Sequence, residues 1–325
     1  MKEQENSRGE QLRKALSYTK KNGYDRVDRA ELDAYCTGYK QFLDAGKTER
    51  ECVDRTIALA EAAGFRAYQR GMALKPGDKV YRANRGKAVM LAVLGRRGLD
   101  QGVNIAAAHI DSPRLDLKQN PLYEADELAF LKTHYYGGLR KYQWVTIPLE
   151  LHGVVALKSG QVVRVSVGNG EGDPLFTVDD LLPHLGAEQS RKPLGEAIPA
   201  ESLNILVGSR PLADDEGSDR VKLSILELLN RKYGIVEEDF ISAELSAVPA
   251  FRASDVGFDR SLIGAYGHDD RVCAYASLAA ILQLNDPERT AVCMLADKEE
   301  IGSEGVTGMK SAAFDTFMED LCQSQ

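Results

Sequence analysis

Three short clusters of chemically capable side chains lie far apart in this sequence. The first is Ala107-Ala108-His109-Ile110-Asp111-Ser112-Pro113, at the end of an apolar run. In an extended segment, His109 and Asp111 lie two apart and share a face. A carboxylate beside an imidazole can hold the ring's second N–H, which fixes the tautomer and raises ligand basicity. A strand-end histidine merely satisfied by its neighbour is the plainer reading. The second is Gly267-His268-Asp269-Asp270-Arg271, ahead of a helical segment. Consecutive acids there either cap the helix by accepting its first-turn N–H groups or present carboxylates outward. The third is Asp297-Lys298-Glu299-Glu300-Ile301-Gly302-Ser303, directly after the apolar Cys293-Met294-Leu295. Acids at a strand's C-terminal end stand where α/β proteins build their sites, although a solvated charged loop has the same composition. Taken together, a His, an Asp and a Glu pair supply what a zinc hydrolase needs: nitrogen and oxygen ligands plus a free carboxylate base. The compact H-E-x-x-H signature is absent, so any ligands must converge from distant sequence.

The intervening elements must do that positioning. Val27 to Glu61 carries Leu32, Tyr35, Tyr39, Phe42 and Leu43 at three- and four-residue spacing, which predicts helix. Lys75-Pro76-Gly77-Asp78 is a turn signal. The apolar runs Ala88 to Leu94 and Val103 to Ala108 predict strands covered on both faces of an α/β sheet. From about 120 to 248 the texture changes: Thr146 to Val155 and Gln161 to Val167 read as strands joined by a turn at Lys158-Ser159-Gly160. This stretch is expected to be a β-rich unit inserted into a discontinuous α/β domain of residues 1–119 and 249–325. Beyond Val248, Asp270 to Leu284 predicts a helix and Thr290 to Leu295 a buried strand.

Composition narrows the function class. A formal charge of −8, from 41 basic and 49 acidic residues, argues against non-specific binding to nucleic acid or anionic membrane. The chain's 5 cysteines are odd in number and without C-x-x-C spacing, so neither a disulfide framework nor a thiolate zinc site is expected. A reduced, cytoplasmic compartment is the expectation. The N-terminal residues are polar and charged, unlike a signal peptide, and no apolar run reaches membrane-span length.

Four segments together resemble, in order, the motifs of the aspartyl aminopeptidases, the M18 family of zinc aminopeptidases. They are Ala108 to Pro113, Lys132-Thr133-His134-Tyr135-Tyr136-Gly137-Gly138-Leu139-Arg140-Lys141-Tyr142-Gln143-Trp144, Asp180-Leu181-Leu182-Pro183-His184-Leu185, and Asp297 to Gly305. The likeness runs over nearly the whole chain, and Ser-Pro after the His motif separates it from related dinuclear-zinc peptidases. The resemblance implies a three-layer zinc-peptidase domain with a central mixed sheet, plus an inserted β-rich cap and dimerisation domain. It implies an aminopeptidase that releases N-terminal residues, with a lean toward acidic ones, using two Zn2+ per subunit; Mn2+ or Co2+ suit such ligands too. His109 would ligate one ion, Glu300 the other, and Asp269 would bridge both. Asp111 would orient His109, Glu299 would be the general base, and His184 would reach substrate in a neighbouring subunit of a homo-oligomer built through the inserted domain. A cis peptide at Asp269–Asp270 is also implied.

The resemblance has a departure. The family pattern continues past the Glu-Glu motif to a further Asp ligand and a further His ligand, whereas this sequence ends 25 residues after Glu300 and has no histidine after His268. The expectation is therefore a C-terminally truncated member, without the family's final strands and helices and with two protein ligands per ion where catalytic zinc usually has three. The alternative is a catalytically impaired homologue serving as a non-catalytic or assembly subunit.

Overall fold

The most apolar stretch of the chain, Ala88–Val93, is a strand buried along its whole length, and a sheet assembles around it. The structure, a computed structural model, describes residues 7–18 and 20–324. The strands are β1 Arg66–Ala67, β2 Lys79–Asn84, β3 Ala88–Val93, β4 Asn104–His109, β5 Arg114–Ala125, β6 Leu128–Tyr136, β7 Leu149–Ala156, β8 Val162–Val167, β9 Ile205–Gly208, β10 Ala243–Pro249, β11 Ser254–Val256, β12 Leu262–Gly264 and β13 Ala291–Ala296. The helices are α1 Arg8–Leu16, α2 Arg29–Ala45, α3 Glu49–Ala62, α4 Leu194–Ala197, α5 Arg220–Tyr233, α6 His268–Leu282 and α7 Ala313–Gln323.

Two compact units divide the chain, residues 1–39 and 40–325. In the first, Ser7 caps α1 by accepting from the Glu10 N–H while the Glu10 carboxylate takes the Ser7 N–H, a reciprocal capping box. The helical pattern predicted from Val27 to Glu61 is two helices, because the chain breaks at Gly46 and restarts at Thr48, which forms a second capping box with Glu51. A Cβ at Gly46 would lie 2.6 Å from the Cys52 sulfur, so only glycine fits that break.

In the second unit, a five-stranded sheet runs in the order β1-β2-β3-β13-β4. The strand β13 pairs antiparallel with β3 and parallel with β4, so the sheet is mixed. Alternation along β3 and β13 sends Val89, Leu91, Val93, Cys293 and Leu295 to one face, where they meet Phe42, Val53, Ala274 and Leu278 of the helices. Ala88, Met90, Ala92, Val292 and Met294 face the other way, onto Phe317 and Leu321 of α7. The acids near the C-terminal end join this packing: Asp320 is buried and accepts from Arg82 at 2.6 Å. One expectation fails here. The run around Val103 to Ala108 is not covered on both faces: β4 is an edge strand whose first four residues are exposed, Ile105 at 51%. Its composition resembles that of β3, but only one of its edges is paired among the described residues.

The middle of the chain forms a six-stranded antiparallel sheet in the order β8-β7-β10-β5-β6-β9. It starts at Arg114 and ends at Pro249, slightly wider than the 120–248 block read from composition. The predicted hairpin of Thr146 to Val167 is β7 and β8. The core of this sheet is aliphatic, with Leu115, Leu149, Val155 and Ala247 fully buried.

Where β7 faces α3, the sheet buries ionisable groups. His152 is fully buried; its Nδ1 donates to Glu51 Oε1 at 2.7 Å, and its Nε2 lies 3.6 Å from Glu150 Oε1. Lys47 Nζ, also buried, reaches Glu150 at 3.3 Å. Burial disfavours the imidazolium, but the bonds and charges of Glu150 and Glu51 outweigh it and raise His152 to about 9. The folded value lies above the ordinary 6.5, so this stabilisation is complete below about pH 6.5 and is lost as pH rises through about 9. Urea unfolding should therefore lose roughly 1–3 kcal/mol between those limits. His152→Gln should flatten that slope; a decline of unchanged size in the variant would assign it to another group.

Candidate metal centre

The parallel pairing of β4 with β13 brings two distant motifs together. His109 is in register with Ala296, so the segments His109–Asp111 and Asp297–Glu300 leave the sheet at the same edge. The third motif arrives on α6. Asp269 and Asp270 depart from helical geometry at its start, and the bond between them is cis, as the family resemblance implies. Ser112 Oγ donates to the Asp269 carbonyl at 2.9 Å, and Arg271 donates to the carbonyls of Ile110 and Lys47 at 3.1 Å each. Gly267, at φ 87°, is needed here, because a Cβ would lie 2.4 Å from the Arg271 guanidinium. Arg271 is thereby wedged under the segment that carries Asp111.

Asp111 is fully buried and organises the centre. Its Oδ1 lies 3.2 Å from His109 Nδ1, which also lies 3.0 Å from the Asp111 carbonyl oxygen, and accepts the Glu299 N–H at 3.2 Å. Its Oδ2 accepts the Glu300 N–H at 3.2 Å and the Tyr136 hydroxyl at 2.7 Å. Burial opposes its ionisation, but the bonds from His109 and Tyr136 prevail and hold the carboxyl below its ordinary range. With Nδ1 engaged, His109 turns Nε2 toward Asp269 Oδ1 at 3.3 Å and Glu299 Oε2 at 3.6 Å. Burial lowers the imidazole's proton affinity, yet Asp111 and Glu299 outweigh it and raise His109 to about 9.

The acidic loop is itself clamped. Asp297, buried at the end of β13, accepts from the Thr307 hydroxyl at 2.6 Å and from the Lys298 N–H at 2.8 Å. Glu299–Ile301 form a single 3-10 turn that points Glu299 toward His109 and Glu300 toward the six-stranded sheet. The Glu300 carboxylate lies against Gly137 and Gly138, with Oε2 3.5 Å from the Gly138 nitrogen. Burial, then the charges of Asp111 and Asp269, raise its pKa.

Of the sequence-derived residues, His109, Asp111, Asp269, Glu299 and Glu300 therefore converge. His184 does not: it is exposed on the irregular segment after β8, with no hydrogen bond or ion pair to the others. Among the described residues, no group of three or more His, Cys, Asp or Glu side chains is gathered tightly enough to hold a metal ion as it stands. The Asp269 and Glu299 side chains are 85% and 59% exposed. The donor chemistry still fits a divalent ion: an imidazole fixed from behind by a carboxylate turns its other nitrogen toward two carboxylates. Tyr136, Arg271 and Thr307 had no role in the sequence reading. Tyr136 stands inside the Lys132 to Trp144 run, but nothing local pairs it with Asp111, 25 residues away.

A family model described as Aminopeptidase I zinc metalloprotease (M18) matches residues 42–325. The chain belongs to the M18 aminopeptidase family. It is 50% identical to a probable M18 family aminopeptidase 1 of Clostridium acetobutylicum over 308 residues, 93% of this chain and 66% of that protein. The crystal structure of an M18 aminopeptidase from Thermotoga maritima superposes with a TM-score of 0.90 at 42% identity, covering 94% of this chain and 67% of that one. A yeast aminopeptidase solved as a dodecamer shares the fold at a TM-score of 0.71 and 18% identity, over 90% of this chain and 67% of that one. The chain thus spans about two thirds of the length of the relatives it matches.

The close approach of Gly137 to the Glu300 carboxylate is testable. A Cβ there would stand 2.7 Å from Glu300 Oε2, at a backbone φ of 72°. Gly137→Ala should lower stability by about 1–3 kcal/mol in denaturant titration, from backbone strain plus the displaced carboxylate. Gly138→Ala, where a Cβ meets nothing within 4 Å, should cost much less. Equal losses would remove the Glu300 contact as the cause.

Proposed function

We propose that this chain carries the metal-binding core of an aminopeptidase that releases N-terminal residues from peptides. One observation carries the reading. His109 Nε2 faces Asp269 and Glu299 while Asp111 holds its Nδ1, so three sequence-remote motifs meet at one sheet edge. In this reading His109, Asp269 and Glu300 would hold two zinc ions. Such ions would supply Lewis acidity and lower the pKa of a water toward ~7.

The chain's own residues do the rest. Asp111 holds the Nδ1–H of His109, so Nε2 is the nitrogen that would give up its proton to a metal ion. It also fixes the backbone of Glu299 and Glu300. Glu299 Oε2, exposed beside His109 Nε2, accepts a proton from the attacking water and returns it to the leaving amine nitrogen. The six-stranded sheet serves as a cap and dimerisation unit, roughly residues 120–248. Its segment around His184 exposes Leu181, Leu182 and Leu185, an apolar surface suited to a second subunit that would receive His184 near its substrate. A lean toward acidic N-terminal residues comes from the family likeness alone. No helix among the described residues is long and apolar enough to cross a membrane.

The test is metal content together with hydrolysis of aspartyl and leucyl anilides by the purified chain. Zinc uptake is expected; any turnover should be abolished by a chelator, and Glu299→Gln should lower its kcat by roughly 10²–10⁴-fold with zinc retained. Turnover indifferent to Glu299→Gln would remove it as the base. A folded chain that takes up no zinc and turns over neither substrate would favour a non-catalytic subunit.

A further inference from the structure

The four contacts to the Asp111 carboxylate are not equivalent. Those from His109, Glu299 and Glu300 come from the segments that form the site, at 3.2 Å each. The shortest comes from elsewhere: Tyr136, at the end of β6 in the six-stranded sheet, donates its hydroxyl at 2.7 Å. Tyr136 is itself only 9% exposed. Its ring is pinned by the guanidinium of Arg114, whose central carbon lies 3.9 Å from the ring centroid. Arg114 is fixed in turn by Asp116 at 2.7 Å and Glu49 at 3.2 Å. The phenol therefore approaches Asp111 from one direction.

We infer that Tyr136 is a positioning residue of the M18 site: through Asp111 it sets the His109 ring and the backbone of the Glu299–Glu300 turn. The physical reason lies in how the carboxylate is shared. Each oxygen has two partners, His109 and Glu299 on Oδ1, Glu300 and Tyr136 on Oδ2. Without the hydroxyl, Oδ2 keeps a single donor on a carboxylate that has no exposed surface. A buried carboxylate so depleted turns toward the remaining donors, and the angle it offers His109 Nδ1 changes. One hydroxyl on the six-stranded sheet thus governs groups carried by the five-stranded one.

The inference rests on the metal-site reading for its meaning, and its test has an arm that does not. In the metal-free chain labelled with ¹⁵N-histidine, Tyr136→Phe should move the Nδ1–H signal of His109 upfield, away from its carboxylate-bonded position. Tyr233→Phe, on α5, should leave it unchanged. In competition with a chromophoric chelator, Tyr136→Phe should weaken zinc binding about 10-fold or more, the usual effect of removing a partner behind a metal ligand. In an Asp111→Asn background the same change should add less than about 2-fold, because the hydroxyl acts through that carboxylate. An unmoved His109 signal with unchanged zinc affinity would overturn the assignment. So would full additivity with Asp111→Asn, or a Tyr136→Phe chain that no longer unfolds cooperatively, since the hydroxyl would then belong to the fold rather than the site. A wild-type chain that binds no zinc would refute the metal-site reading, while the imidazole spectrum would still decide Tyr136.

Discussion

A fully buried carboxylate needs a donor for each lone pair it turns away from water, and Asp111 meets that need with groups from three segments. Satisfying it fixes the site. The side chain of His109, the peptide nitrogens of Glu299 and Glu300 and the hydroxyl of Tyr136 must all be where they are for Asp111 to remain ionised inside the protein. The direction in which His109 presents Nε2 is a consequence of this arrangement.

The same principle extends outward from the site. Glu49, buried in the first turn of α3, ion-pairs with Lys87 at 3.1 Å and Arg114 at 3.2 Å. Burial opposes its charge, yet Arg114 and Lys87 draw its pKa down to about 2, and the positive end of the helix dipole acts in the same sense. Arg114 stands on β5 and Lys87 just before β3, so this one carboxylate ties a helix to both sheets. Arg271 does comparable work with backbone carbonyls, joining α6 to the segments before α3 and after β4. Such groups contribute little through attraction alone, because desolvation offsets most of it. Their effect is to penalise every other arrangement of the two sheets, which would leave a charge buried without its partner.

The elements were largely legible in the sequence because their periodicity is local. The buried runs at Ala88 and Ala291, the hairpin of β7 and β8, and the helix after Asp269 follow from apolar spacing and turn residues. The exposure of β4 was not legible. Asn104-Ile105-Ala106-Ala107 is nearly as apolar as its neighbours, and only strand order shows that nothing described pairs with its outer edge. The start of the six-stranded sheet at Arg114 was also hidden, since the first residues of β5 have the composition of the segment before them.

The sequence by itself determined which chemistry is available here: an imidazole, a set of carboxylates, and their attachment to strand ends and a helix start. Those follow from residue type and short-range pattern. Only the tertiary structure decided which of those groups meet. Parallel pairing of β4 with β13 brings His109 to Glu299 across 190 residues of chain. A strand of another sheet supplies the hydroxyl that completes Asp111, while His184, equally prominent in the sequence, stays exposed and apart from the others. The physical reason is that a buried charge is satisfied by proximity in space. Sequence separation enters that proximity only through the fold.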